Sequence, residues 1–217
     1  MTTILHLRCS PRGAAAFSSL MADEVVARLR QHREGTEIVF RDLAANPPPL
    51  VDAGFSAAIL GPPGDVPPAL EVSEALIREL DAADVLVIAT PMHNYGVPAV
   101  LKAWVDQIVR IHRTFTSTPG GKVGRLRDRP VWLVVASGGW FTGPSPSGAP
   151  AQPDFLTPYV RAVLGTVGIN DLHILTLEGV TRGADIAEAA FAQARAALER
   201  ALPLCPTQAC LHAGPHS

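Results

Sequence analysis

Serines and a glycine are the residues near the start of the chain that could take part in chemistry. They lie between an apolar run and a helical pattern. The stretch reads CSPRGAAAFSS over residues 9–19 and carries a single charge, on Arg12. Hydroxyl groups from Ser10 and Ser18, with Ser19 as a further candidate, are suited to binding an anion such as phosphate together with the backbone N–H groups at the start of a helix. Cysteine chemistry at Cys9 and a tight turn without a ligand are the two other interpretations.

The residue six positions after Cys9 excludes the cysteine interpretation. Low-molecular-weight tyrosine phosphatases need an arginine there to bind the phosphoryl oxygens, and this chain has Ala15. A response-regulator receiver is excluded too, because it needs acidic residues after the first strand and an aspartate after the third. The chain has RCS and TPMHN at those places. A phosphate-binding loop and a capped turn both stay open.

A second polar loop, PMHNY at residues 91–95, follows the most apolar run of the chain. It offers a thioether (Met92), an amide side chain (Asn94) and a phenol (Tyr95), which suit the face and the polar rim of a flat heteroaromatic ring. His93 is the nearby candidate for donating a proton. The alternative interpretation makes His93 an exposed loop residue and Tyr95 a plug of the core.

A third loop, ASGG at residues 136–139, supplies two glycines whose N–H groups can approach a ring without hindrance from a Cβ atom. Taken alone, the same residues are equally typical of a strand end. The three loops together are more specific. A phosphate site, a ring-edge loop and a glycine loop are what flavin mononucleotide (FMN) requires.

Five apolar runs with strand character alternate with helical patterns and must position these loops. The predicted strands are residues 3–8, 36–42, 84–90, 130–137 and 172–177, and the predicted helices are 17–33, 71–80, 98–111, 155–164 and 185–202. Residues 43–70 are rich in proline and glycine and predict an excursion with a short helical piece.

This alternation predicts an α/β fold, a flavodoxin-like three-layer sandwich with helices on both faces of the sheet. The sheet is expected to have five parallel strands in the order 2-1-3-4-5. Ligands of such sheets bind beyond the carboxyl ends of the strands, where the winding reverses. The three loops follow strands one, three and four, so we expect them to meet there.

Composition limits the class of protein. Of the 217 residues 47% are apolar and 18% are charged, so we expect one domain over residues 1–203, followed by a disordered tail at 204–217. The net charge of −2 argues against nucleic-acid binding. No apolar run approaches ~20 residues, the length of a membrane span. The three cysteines lack metal-binding spacing, and the start lacks a signal-peptide pattern, which favours a cytoplasmic protein without a metal site.

At these loops the chain resembles the FMN-dependent NAD(P)H azoreductases, a branch of the flavodoxin-like quinone reductases. The resemblance extends over roughly residues 4–202 and depends mainly on PMHN at 91–94 with LKAWVD at 101–106. Shorter matches are SPRG at 10–13, RDLAANPPP at 41–49, TF at 114–115, SGG at 137–139 and TPY at 157–159.

The resemblance implies a cofactor site for FMN, with the phosphate in the first loop and the ring along the other two. The residues implied are Ser10, Ala16, Phe17, Ser18, Met92, His93, Asn94, Tyr95, Ala136, Ser137, Gly138 and Gly139. No side chain is required as a catalyst, and His93 is a candidate proton donor. Ala14, Ala15 and Ala16 lack the hydroxyl groups found in many relatives, and Ser117 stands where relatives often have an aromatic.

The implied activity is that of an NAD(P)H:quinone oxidoreductase that also cleaves azo compounds. Hydride passes from NADH or NADPH to FMN, and two electrons then pass at the same place to a quinone, azo or related aromatic acceptor. Such enzymes are typically homodimers. The alternatives are a flavodoxin-like electron carrier, which usually has a strongly acidic surface, and a general NAD(P)H:acceptor flavin reductase. A serine hydrolase is disfavoured because the chain lacks a G-x-S-x-G elbow.

Overall fold

Strands and helices alternate along the computed structural model, which describes residues 2–32, 35–61 and 66–203. The strands are β1 (Thr2–Arg8), β2 (Thr36–Asp42), β3 (Val85–Pro91), β4 (Phe115–Thr118), β5 (Gly121–Gly124), β6 (Val131–Ala136) and β7 (Leu172–Leu177). The helices are α1 (Phe17–His32), α2 (Ala53–Ile59), α3 (Glu71–Ala82), α4 (Ala99–Ile108), α5 (Thr157–Val167) and α6 (Ala184–Ala201). The tail predicted at 204–217 lies outside the described residues.

One five-stranded sheet in the order β2–β1–β3–β6–β7 organises the molecule, and all of its pairings are parallel. Strands β4 and β5 form a separate antiparallel hairpin, so the order is consistent with the expected one. The register pairs Arg8 with Ala89 and Pro91 with Ala136, which aligns the carboxyl ends of β1, β3 and β6. The three predicted loops therefore leave the same edge of the sheet side by side.

Two apolar layers cover the sheet, which explains why its central strands are continuous apolar runs. Every residue of β6 and every residue of β3 before Pro91 is buried. Helices α3, α4 and α5 pack on one face, and α1 and α6 pack on the other. Strands buried on both faces have this composition in parallel sheets. The expected helices on both faces are confirmed.

The helix predicted at residues 98–111 ends earlier, at Ile108, because Thr114 holds the chain in a turn. The Thr114 hydroxyl donates to the Ile108 carbonyl at 2.7 Å and accepts from the Arg110 N–H at 2.9 Å. These bonds satisfy groups at the end of the helix that would otherwise lack a partner. The chain then leads into the β4–β5 hairpin, which the sequence analysis did not predict.

Backbone-to-backbone contact fixes the hairpin against the end of α5. A Cβ atom added at Gly124 would lie 2.1 Å from the Gly168 nitrogen, so only glycine allows this approach. Gly168 itself has a φ of 105°, the left-handed conformation in which glycine commonly ends a helix. The two glycines allow the hairpin to pack against the end of α5, which itself packs on the main sheet. Among the described residues, no helix is long and apolar enough to cross a membrane.

Candidate FMN-binding site

The predicted loops meet at the carboxyl edge of the sheet and line two adjoining cavities. The first cavity has a volume of about 180 Å³ and the second about 410 Å³, and Met92, Ser137, Gly138 and Thr181 line both. Each predicted binding residue lines at least one of them. Those in the first cavity are Ser10, Ala16, Phe17, Ser18, Met92, His93, Ala136, Ser137 and Gly138. Asn94, Tyr95 and Gly139 line only the second.

The first loop turns tightly and opens α1 toward the first cavity. The Gly13 N–H donates to the Ser10 carbonyl at 3.0 Å, and Gly13 has a φ of 59°. Ser18 and Ser19 are buried at the start of α1, and their hydroxyl oxygens have no hydrogen-bond partner among the described residues. A buried hydroxyl without a partner is costly, so it marks a place where a ligand can supply one. Of these two serines, Ser18 lines the first cavity.

Positive charge accompanies these hydroxyls. Arg12 is exposed, lines the first cavity and holds its guanidinium 5.3 Å from the centre of the Phe17 ring. Together with the helix start, Arg12 makes the first cavity favourable for an anion.

The second loop is a two-residue reverse turn of unusual backbone conformation. His93 and Gly96 exchange two hydrogen bonds at 2.9 and 3.0 Å, and the residues between them, Asn94 and Tyr95, have φ values of 48° and 69°. Two positive φ values in succession are the mark of a type I′ turn, in which asparagine is favoured but tyrosine is not. Tyr95 is 46% exposed, so the alternative of a core plug is wrong.

Side chains from two other loops approach the glycines of the third loop closely. A Cβ atom at Gly138 would lie 2.7 Å from the Thr181 hydroxyl, and one at Gly139 would lie 2.6 Å from the Gln152 side-chain oxygen. Ser137 is buried, and its hydroxyl accepts hydrogen bonds from the Gly139 N–H at 3.2 Å and from Gln152 Nε2 at 2.9 Å. The loop therefore contacts two other loops and is more than the end of β6, and its role as a binding site stays a prediction.

Two further loops contribute residues that the sequence patterns did not indicate. Val180, Thr181 and Arg182 follow β7, the strand next to β6 in the sheet. The argument from strand ends would have found them if it had been extended to the fifth strand. Gln152 comes from the loop between β6 and α5, and no local pattern indicated that it returns to Ser137. Glu178 holds that loop by accepting from the N–H groups of Phe141 and Thr142 at 2.6 and 2.8 Å.

Cys9 plays no chemical part in this arrangement. It is fully buried beneath the first loop, and burial raises the pKa of its thiol far above the ordinary range. A thiol in that state is not a nucleophile at neutral pH. In the described part of the chain, no group of three or more His, Cys, Asp or Glu residues is placed to hold a metal ion.

Comparison with known proteins places the whole arrangement in a family. The profile of the family described as having a flavodoxin-like fold matches residues 2–202. The chain belongs to this flavodoxin-like family. Among its relatives, FMN-dependent NADH:quinone oxidoreductase 4 of Pseudomonas fluorescens is 46% identical over 198 residues, which are 91% of this chain and 94% of that enzyme.

Two further relatives of this flavodoxin-like protein agree with the predicted resemblance. FMN-dependent NADH:quinone oxidoreductase 2 of Cupriavidus pinatubonensis is 43% identical over 195 residues, 88% of this chain and 93% of that enzyme. The crystal structure of an azoreductase from Bacillus anthracis has a TM-score of 0.78 and 25% identity, and the match covers 93% of this chain and 99% of that one. The predicted kinship with azoreductases and quinone reductases is confirmed.

Proposed function

We propose that this flavodoxin-like protein, as one domain over residues 1–203, is an FMN-dependent NADH:quinone oxidoreductase that also reduces azo compounds. The observation that carries the proposal is a pair of adjoining cavities. One is lined at a helix start by Ser18, whose buried hydroxyl has no partner among the described residues, and the other lies along a glycine loop. Relatives named for this activity, 46% and 43% identical, support it.

The first cavity has the groups that a ribityl phosphate needs. Ser10 and Ser18 would hydrogen-bond the phosphate, Arg12 would add charge, and Phe17 would present its backbone N–H at the start of α1, next to Ala16. Backbone amides at a helix start and a cationic side chain both favour a dianion. The residues present therefore fit this part of FMN.

The second cavity has the groups that a flavin ring needs. Met92 and the backbone of residues 93–95 would lie against the ring, and residues 136–139 would face its polar edge, with the Gly138 N–H as the donor that makes no hydrogen bond among the described residues. Donors fixed in the fold stabilise negative charge as it develops, because they need no reorganisation. The chemistry that bound FMN supplies is acceptance of a hydride from NADH and transfer of two electrons to the acceptor.

The protein's remaining tasks are positioning and proton supply. His93 is exposed and lines the first cavity, so it can exchange a proton with solvent while its backbone is fixed by Gly96. The flavodoxin-like carrier is the less favoured alternative, because no carboxylate lines either cavity among the described residues and two arginines do. An acidic docking surface around the flavin would require the reverse.

A homodimer in the cytoplasm is part of the same proposal. Phe155 is 66% exposed and its N–H donates to the Tyr95 carbonyl at 2.9 Å, so the backbone brings two exposed aromatic residues next to each other. Exposed aromatic residues side by side are typical of an interface. Sedimentation at micromolar protein concentration measures the state, and a monomer would contradict this part of the proposal.

Reconstitution tests the function directly. The FMN-free protein, titrated with FMN, is expected to quench flavin fluorescence at a ratio of one flavin per chain. The loaded protein should then oxidise NADH steadily in the presence of a quinone or an azo dye. Bound flavin without turnover would favour the electron carrier. Failure to bind FMN at all would refute the proposal.

Asn94 provides a test of the ring placement. Asn94→Ala removes the side-chain amide and also places a poorly suited residue at a φ of 48°. Asn94→Gly removes the amide but suits the backbone. If the amide binds the flavin, both variants should weaken FMN by about 2- to 10-fold, the value of one neutral hydrogen bond. Only Asn94→Ala should lower the melting temperature. Unchanged FMN affinity in Asn94→Gly would show that Asn94 serves the turn alone.

A further inference from the structure

Arg182 is a cationic side chain at the second cavity with no role in the proposed chemistry. It lies in the loop between β7 and α6, is exposed, and lines the cavity together with Asn94 and Tyr95. Its Nε donates to the Gly138 carbonyl at 3.3 Å. That bond directs the guanidinium to the glycine loop and leaves its two terminal nitrogens available.

No acid compensates this charge in the described part of the chain. Arg182 makes no ion pair there, and no Asp or Glu lines either cavity. The nearby Glu178 faces a different cavity, and its carboxylate is occupied by N–H groups of the loop after β6. Arg12 lines the other cavity, so Arg182 is the cationic residue of the second one within residues 2–32, 35–61 and 66–203.

We infer that Arg182 selects acceptors that carry an anionic substituent, an aromatic carboxylate or sulfonate, and this inference rests on the proposed function. A guanidinium presents paired N–H donors that match the oxygens of such groups. Its attachment to Gly138 reduces the freedom it loses on binding. NADH also carries anionic groups, in its pyrophosphate, so the experiment must separate the two substrates.

The test compares a matched pair of quinones, 1,4-naphthoquinone and its 2-sulfonate, with Arg182→Gln and Arg182→Lys. Arg161, exposed on α5 away from both cavities, provides the control Arg161→Gln. At low ionic strength, Arg182→Gln should lower the ratio of kcat/KM for the sulfonate to that for the neutral quinone by about fivefold, the upper value for an exposed ion pair. Arg182→Lys should retain part of the preference, and Arg161→Gln should retain all of it.

Binding at equilibrium gives a readout that does not depend on turnover. Naphthalene-2-sulfonate, which cannot be reduced by this route, should bind the FMN-loaded protein about fivefold more weakly after Arg182→Gln, as measured by calorimetry. The difference should disappear near 1 M salt, where the screening length is about 3 Å.

Three results would overturn the inference. An unchanged ratio in Arg182→Gln would show that the charge does not reach the acceptor. A rise in KM for NADH that is equal with both quinones would assign the arginine to the nicotinamide substrate. A weaker FMN affinity with an unchanged ratio would assign it to the flavin. In each of these results the protein still turns over, whereas loss of the proposed function would abolish turnover with both quinones in the unaltered protein.

Discussion

Ser18→Ala is expected to weaken FMN binding by about 10- to 100-fold without destabilising the FMN-free protein. A hydrogen bond to a charged group contributes about 1.5–3 kcal/mol, which sets the loss of affinity. The Ser18 hydroxyl is buried and has no partner among the described residues, so its removal costs the FMN-free fold nothing. A residue that matters only to a bound phosphate should behave in this way.

Ser19 is the matched control for this prediction. It follows Ser18 in α1, is equally buried and equally lacks a partner among the described residues, but it is not among the residues that line the first cavity. Ser19→Ala should leave the FMN dissociation constant unchanged. Fluorescence titration and thermal unfolding of the FMN-free proteins give the two quantities. Equal effects of the two substitutions on FMN affinity would contradict the placement of the phosphate.

Glu74→Gln is expected to lower the free energy of unfolding by about 3–5 kcal/mol, the usual cost of removing one member of a buried ion pair. Glu74 lies in α3 and pairs with Arg110, and both side chains are buried. Its other oxygen accepts from Arg113 Nε at 3.1 Å. Without the carboxylate, the charge of Arg110 would stay buried with no negative group beside it. Urea unfolding at pH 7 measures the change.

Arg78 is the control, because it contacts the same carboxylate from solvent. Its Nε lies 3.6 Å from Glu74 and its side chain is 70% exposed, so Arg78→Ala should cost under about 1 kcal/mol. A comparable loss of unfolding free energy in both variants would show that burial of the ion pair does not determine the size of the loss.

Acid should remove the stabilisation that Glu74 provides. Burial raises the pKa of Glu74, but the hydrogen bonds from Arg110 and Arg113 together lower it by more. The pKa therefore lies below the ordinary 4.5. A carboxylate with a lowered pKa in the fold stabilises above its unfolded pKa and loses that effect as the pH falls through the folded value. The difference in the free energy of unfolding between Glu74→Gln and the unaltered protein should therefore become smaller below about pH 4.5.

Patterns in the chain predict the main sheet well because its strands are buried on both faces. The continuous apolar run at residues 84–90 leaves little ambiguity, and the strand predicted at 172–177 has the same bounds in the structure. The hairpin at residues 115–124 was missed because its strands have four residues each and include glycine and polar residues. Its position depends on the close approach of Gly124 and Gly168, which no local pattern indicates.

The candidate site also has one part that the sequence predicts and another that it does not. Loops that leave the carboxyl ends of β1, β3 and β6 follow from topology alone, and their residues line the two cavities. The role of Gln152 depends on a loop that returns to Ser137 across 15 positions of sequence. Such a return is fixed by tertiary contacts, including those made by Glu178, and periodicity carries no information about it.

The proposed function predicts that stability and activity oppose each other at Tyr95, the second left-handed residue of the turn, which lines the second cavity. A tyrosine at a φ of 69° carries backbone strain of about 1–2 kcal/mol, which glycine would relieve. A library of variants selected for heat resistance should therefore replace Tyr95 with glycine or asparagine. A library selected for quinone turnover should keep the aromatic ring. The difference in melting temperature between the variants from the two selections would measure how much stability the enzyme loses in favour of activity.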